Sequence, residues 1–152
     1  TLSSSSAASD VYKRQSLVLS RKRASEGFYP AVDPLRSSSK MLMASIAGER
    51  HYRTALAVRE TLANYEGLKD MIAMLGMAEL SEGDRRIVQR ARRLERFLTQ
   101  PFFSTEQFTG KAGKLVSLEA ALTGCERLLN DEFADRSEND LYMIGDIEEA
   151  RS

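Results

Sequence analysis

Tryptophan is missing from these 152 residues, and cysteine and histidine occur once each, as Cys125 and His51. A single cysteine excludes an internal disulfide framework and fits a reducing compartment. A zinc site needs about four N, S or O ligands, so one Cys and one His cannot close it without carboxylates or a second chain, and no metal site is expected. Long apolar runs are lacking too: nothing approaches the roughly 18 to 20 residues needed to cross a bilayer. Charge of one sign is absent as an excess, with 22 Lys and Arg against 22 Asp and Glu. The overall balance therefore offers no pull toward nucleic acid or an anionic membrane, and any electrostatic argument must be local. No Gly-x-Ser-x-Gly elbow occurs, and one histidine leaves a hydrolytic triad without local support. Gly110-Lys111-Ala112-Gly113-Lys114-Leu115 approaches a phosphate loop. It fails because Phe108 stands where the motif needs its first glycine and Leu115 where it needs a magnesium-holding Ser or Thr. An ordinary glycine turn is the better account, and no catalytic residue is assigned.

What remains is a mainly α pattern of one-domain length. Residues 1–15 carry no usable periodicity. Asp10-Val11-Tyr12-Lys13-Arg14-Gln15 resembles one frame of a transposase end sequence used in library preparation, so residues 1–15 are expected to be an adaptor-derived or disordered tail. Leu17-Val18-Leu19 reads as the end of a strand, and Ser20 as the cap of a short helix that Gly27 stops. Pro30, Pro34 and the serines at 37–39 make residues 28–43 a long loop. From 49 to 75, Ala55, Val58, Leu62, Tyr65, Leu68, Ile72 and Leu75 recur every three or four residues, a long amphipathic helix ended by Gly76. Ser81, with Asp84 three residues later, opens a second helix whose core face is Ile87, Ala91, Leu94 and Leu98, and Pro101 ends it. The two should form an antiparallel hairpin. Ser117 caps a third helix with Leu118, Leu122, Cys125 and Leu129 on one face. Asp146 with Glu149 proposes a last helix.

Several residues carry more than packing information. The irregular stretch 101–116 holds Phe102, Phe103 and Phe108, more aromatics than a solvent loop ordinarily spends. The second helix bears Arg85, Arg86, Arg90, Arg92, Arg93 and Arg96. A solvated face is the simplest account of them; an acidic protein partner or RNA is the functional one, although the base-stacking aromatics of a nucleic-acid surface are absent from this helix. Met71, Met74 and Met77 suit core filling, with a sliding contact surface as the alternative, and Cys125 suits a small buried hydrophobe.

Three stretches bear a family resemblance. Gly27-Phe28-Tyr29-Pro30-Ala31-Val32-Asp33-Pro34-Leu35, then Ile72-Ala73-Met74-Leu75-Gly76-Met77-Ala78-Glu79-Leu80-Ser81-Glu82-Gly83-Asp84, then Arg96-Phe97-Leu98-Thr99-Gln100-Pro101-Phe102-Phe103 with Glu106-Gln107-Phe108-Thr109-Gly110 resemble the carboxy-terminal part of the catalytic beta subunit of rotary F-type ATP synthases. The resemblance covers residues 17 to about 151. It implies that residues 16–48 are the end of a nucleotide-binding domain with its linker loop, and that 49–152 are a carboxy-terminal helical bundle domain. Tyr29, Phe102 and Phe108 would form an adenine pocket. Ala78, Glu79, Leu80, Ser81, Glu82, Gly83 and Asp84 would contact the rotor. Ala78 and Gly83 stand where the family pattern has Asp and Glu, and Arg36 where it has Asp, departures that leave a sodium-coupled relative open beside a proton-coupled one. By the same implication, ATP or ADP with Mg2+ serves the full-length subunit and none binds this fragment tightly. The partners would be alpha and gamma subunits, with no nucleic acid. The place would be the cytoplasmic face of a bacterial inner membrane, held there through the complex, with the matrix side of a mitochondrial inner membrane as the second placement. The rival function is a stand-alone helical module that binds an acidic protein or RNA through its Arg-rich helix.

Overall fold

The computed structural model describes residues 15–151, so the expectation for the amino-terminal tail lies outside the described residues except at Gln15. A two-residue strand β1 (Gln15–Ser16) pairs antiparallel with β2 (Ser38–Ser39). The pairing continues irregularly: the Ser20 amide donates to the Ala31 carbonyl and the Asp33 amide to the Val18 carbonyl, both at 2.8 Å. The apolar triplet is thus the end of a short antiparallel ribbon that leaves Leu17 and Leu19 exposed. Helix α1 (Arg21–Ser25) starts at Ser20, whose hydroxyl accepts the Arg23 amide, and Gly27 follows it at a φ of 81°.

After the loop and a single turn α2 (Ala44–Ala47), helix α3 runs Glu49–Leu75, the predicted span. Gly76, at a φ of 84°, ends it in a conformation that costs little only without a Cβ. Helix α4 (Glu82–Phe97) begins with a reciprocal cap: the Ser81 hydroxyl accepts the Asp84 amide at 3.1 Å and donates to the Asp84 carboxylate at 2.7 Å. α3 and α4 pack on each other, as expected of a hairpin. A short turn α5 (Glu106–Thr109) follows, and α6 (Leu118–Leu129) is capped by Ser117 through the Ala120 amide. α6 packs on both long helices.

The core gathers Val58 and Leu62 of α3, Ala91, Leu94 and Phe97 of α4 and Cys125 and Leu128 of α6. It is closed by Phe133, Leu141, Ile147 and Ala150 from the chain's end. Burying each of the larger side chains stabilises the fold by about 1.5–3 kcal/mol. Two predicted faces need rotation. Leu98 and Leu118 are exposed, while Val88, Phe97 and Leu128 take the inward places. In α4 the helix ends at Phe97, so Leu98 has already left the helical register. In α6 the inward strip passes through Gly124, where the Phe97 ring lies so close that a Cβ would collide with it. The core role expected for the methionines fails at two of the three, Met77 being half-buried. Met71 and Met74 are exposed, together with Leu75. α3 outruns the bundle, and past Leu62 none of its residues is fully buried. The last helix is a 3-10 helix (Ile147–Arg151) rather than an α-helix. Its predicted cap forms nonetheless, with the Glu149 carboxylate accepting the Gly145 and Asp146 amides at 3.1 Å.

Candidate functional site

Three irregular segments converge beyond the carboxy-terminal end of α4. Leu94 accepts the last helical bond, from the Leu98 amide, and the Thr99 hydroxyl turns back to the Arg96 carbonyl at 2.5 Å. That turn sends Gln100 across to the first loop, where its amide donates to the Tyr29 carbonyl at 2.9 Å. Thr99 is buried, and its oxygen also accepts the Met143 amide at 3.1 Å. Met143 has a φ of 59°, sparsely populated for a residue with a Cβ and tolerated where the surroundings hold it.

The result is a cleft of about 280 Å³ walled by Tyr29, Pro101, Phe102, Thr105, Lys111 and Met143. It lies near the lower end of the roughly 300–1,000 Å³ typical of small-molecule sites. Its walls are apolar, and Lys111 is the charged group among them. Tyr29 is 42 % exposed and lines the cleft, so it is available to a ligand. Tyr29 and Phe102, 73 residues apart in the chain, therefore share one cleft. The expectation for the Phe108 side chain lies outside the described residues. Phe103 is exposed, and its backbone and ring lie about 2.5 Å from where a Cβ on Gly113 would stand, so the glycine permits that approach. Lys111, Met143 and the neighbouring Tyr142 are missed by sequence reasoning. For Tyr142 and Met143 the apolar run at 141–144 is the signal that could have found them, and for Lys111 there is none.

The turn between α3 and α4 forms the opposite end of the molecule's long axis of helices. A 3-10 turn (Met77–Glu79) leads to Leu80, which is buried and anchors the turn. Ala78, Glu79, Ser81, Glu82 and Gly83 are exposed, and Asp84 is half-buried in its cap with Ser81. Beside them stand Met74, 77 % exposed, and Leu75, 60 % exposed. An apolar and acidic tip of this kind is suited to a partner surface.

The Arg-rich helix does something different from either function weighed for it. Arg90 donates to both oxygens of Asp131, at 2.8 and 2.5 Å, and Arg86 reaches the same carboxylate at 3.5 Å. Arg92 pairs with Glu138 at 2.6 Å, and Arg93 donates to the Ala134 and Arg136 carbonyls. These four arginines strap the polar segment 131–138 onto α4, which accounts for Arg86, Arg90, Arg92 and Arg93 without RNA or an acidic partner. The Arg90 guanidinium holds the Asp131 carboxyl below its ordinary range. On α6, hydrogen bonds from Arg50 do the same for Glu126. Burial pushes the Cys125 thiol up to about 11, as befits a small buried hydrophobe. Among the described residues no group of three or more His, Cys, Asp or Glu could hold a metal ion. No described helix is long and apolar enough to cross a membrane.

A helical hairpin with a third helix packed on it accords with an ATP synthase carboxy-terminal domain. Residues 40–136 match the family model described as the C-terminal domain of V and A type ATP synthase, and the chain belongs to that family. Curated relatives make the class more particular. The chain is 70 % identical over 135 residues to ATP synthase subunit beta 1 of Marinomonas sp. (strain MWYL1), covering 89 % of this chain and 28 % of that protein. It is 67 % identical over 136 residues to subunit beta 2 of Syntrophotalea carbinolica, covering 90 % of this chain and 29 % of the relative. Against subunit beta of Acaryochloris marina it is 65 % identical over 135 residues, covering 89 % and 30 %. The chain thus spans less than a third of these relatives' length. A solved structure of the ATP synthase subunit NeqB from Nanoarcheaum equitans superposes with a TM-score of 0.64 at 20 % identity, over 80 % of this chain and 28 % of that one, a likeness of fold.

Proposed function

We propose that this chain serves as the carboxy-terminal part of an ATP synthase beta subunit, supplying the apolar wall for the adenine base and the helical lever that bears on the rotor. The observation that carries it is the identity of 65–70 % to proteins named as that subunit, over nearly the whole described chain. The cleft supports the same reading. Tyr29 and Phe102 offer aromatic faces to a flat base, an arrangement worth about 1–3 kcal/mol per stacked base. Phe108 is the third group of this pocket on the same proposal. Residues 16–48 then belong to the end of the nucleotide-binding domain, and the exposed Leu17 and Leu19 would pack on the rest of it. Residues 49–152 form the helical bundle domain.

In the full-length subunit the nucleotide is ATP or ADP with Mg2+. The base fits the aromatic cleft of this chain, and on this proposal metal and phosphates are held by the remainder of the subunit. The chemistry of phosphoryl transfer lies there too. At the far end, Ala78, Glu79, Ser81, Glu82, Gly83 and Asp84, with Met74 and Leu75, face the gamma subunit. Leu80 would hold this turn in shape from inside. An alpha subunit lies alongside, and the complex sits on the cytoplasmic face of a bacterial inner membrane, coupled to protons or sodium.

The test is a chimera in which residues 16–151 replace the matching part of the Marinomonas subunit, assembled with that synthase's other subunits. It is expected to assemble and hydrolyse ATP, and Tyr29→Ala or Phe102→Ala should weaken adenine-nucleotide affinity roughly five- to 150-fold, the equivalent of about 1–3 kcal/mol. Replacing residues 78–84 by a Gly-Ser linker should lower torque without changing that affinity. A chimera that assembles yet binds nucleotide equally well without both rings sinks the adenine reading.

A further inference from the structure

Behind the cleft, cations and rings alternate in a continuous series. The Arg23 guanidinium lies 4.8 Å from the centre of the Phe28 ring, and that of Arg96 lies 5.2 Å from the same ring. Arg96 also lies 5.1 Å from the Tyr142 ring, and Lys111 Nζ lies 5.3 Å from that ring. Each of the four distances is within the roughly 6 Å over which a cation is attracted to an aromatic face. The series passes through every segment that walls the cleft. Phe28 precedes Tyr29, Tyr142 precedes Met143, Lys111 is itself a wall, and Arg96 stands on α4 just before the turn to Pro101 and Phe102.

Arg96 is set apart from the other arginines of its helix. Arg90 and Arg92 are paired with carboxylates, whereas among the described residues Arg96 has rings for partners. Other bonds keep the two rings in place around it. The Tyr142 hydroxyl donates to the Gly27 carbonyl at 2.7 Å, and a Cβ on Gly27 would stand 3.2 Å from the Tyr142 hydroxyl oxygen. The left-handed backbone of Met143 is held through Thr99 to the carbonyl of Arg96 itself. Arg23 is in turn bound to the buried Glu95 at 2.9 Å, one residue before Arg96 on the same helix.

We infer that Arg96 is a positioning residue: clasped by Phe28 and Tyr142, it sets the spacing of the Tyr29 and Met143 walls of the cleft and ties both to the lever helix α4. The inference rests on the adenine reading of the cleft for its functional consequence, while its structural part stands alone. Arg96 does not touch the base. It determines how far apart the surfaces that do so are held, and a tilt of α4 must pull on both through one guanidinium.

The experiment compares the wild-type chain with Arg96→Lys, Arg96→Leu, Tyr142→Phe and Tyr142→Leu by amide hydrogen exchange and by NMR titration with ATP. In Arg96→Leu and Tyr142→Leu, exchange at residues 28–31 and 142–144 should rise roughly ten-fold, while residues 54–62 and 88–94 keep their protection. ATP affinity in the cleft should fall by a similar factor in those variants. Arg96→Lys, which keeps a cation between the rings, and Tyr142→Phe, which keeps the ring, should recover most of both. Unchanged exchange in the two Leu variants overturns the inference. So does loosening that extends evenly to residues 54–62, which would make Arg96 an ordinary strut, and so does a failure of Lys to rescue. Should Arg96→Leu fail to fold, the Tyr142 pair and Arg96→Lys decide alone. If ATP moves neither the Tyr29 nor the Phe102 signals of the wild type, the adenine reading falls, and the exchange pattern still judges the clasp.

Discussion

Two stretches of helix α3 obey the same sequence rule and meet opposite fates. Toward its middle, Val58 and Leu62 are buried against α4 and α6; at its end, Leu75, on the same three-or-four spacing, is 60 % exposed, and Met74 is 77 % exposed. Spacing decides which residues share a face of a helix, but only a neighbour decides whether that face is covered. The proximal half has two neighbours because α6 crosses there. At the far end of the helix stand the sharp turn and the first turns of α4, and there Met74 and Leu75 stay uncovered. A packed part and an exposed tip on one continuous helix are what the proposed lever would require.

The largest effect that would sharpen the contrast belongs to the packed part. Leu94→Ala removes a fully buried side chain from the centre of the core and should cost about 2–5 kcal/mol in denaturant unfolding. Next comes Gly124→Ala. Although alanine favours helix, the new methyl meets the Phe97 ring, and a loss of about 1–3 kcal/mol is expected. A neutral or stabilising result would mean that α6 does not pack so closely on α4. At the turn, Ser81→Ala removes one hydroxyl that serves both the Asp84 amide and its carboxylate, a loss of about 1 kcal/mol.

Smaller still is the strap. The Asp131 carboxyl is depressed chiefly by its hydrogen bonds from Arg90, so its contribution is present above the ordinary carboxylate range near pH 4 and lost as pH falls through the lower folded value. The pair is partly open to solvent, which limits it to roughly 0.2–1 kcal/mol. Asp131→Asn should therefore flatten the acid limb of stability slightly and leave neutral-pH stability reduced by that amount. At the tip, Met74→Gln should change stability by less than about 0.5 kcal/mol. A loss comparable to that of Leu94→Ala would break the comparison on which the lever rests.

Much of this architecture was legible locally. Ser20, Ser81 and Ser117 each cap the helix expected of them, because a cap depends on a few adjacent residues. The span 49–75 was readable from its three-or-four apolar spacing and from the glycine at 76 that ends it. Faces were less legible, since Leu98 and Leu118 continue a period whose neighbour has already moved away. The core contributions of Phe133, Leu141 and Ile147 depend on a polar segment folding back under arginine straps, which no local pattern announces. Of the cleft, Tyr29 and Phe102 were named through resemblance. Lys111 and Met143 enter it by tertiary contacts, one through the Tyr142 ring and the other through the Thr99 hydroxyl.

The central claim, that this chain presents an aromatic wall to an adenine base, is tested most directly by NMR of the aromatic side chains during titration with ATP and, separately, with tripolyphosphate. ATP at millimolar concentration should shift the Tyr29 and Phe102 signals while tripolyphosphate leaves them in place, since the wall these residues form is apolar. Equal shifts from both ligands, centred on the arginines of α4 rather than on the cleft, would contradict it.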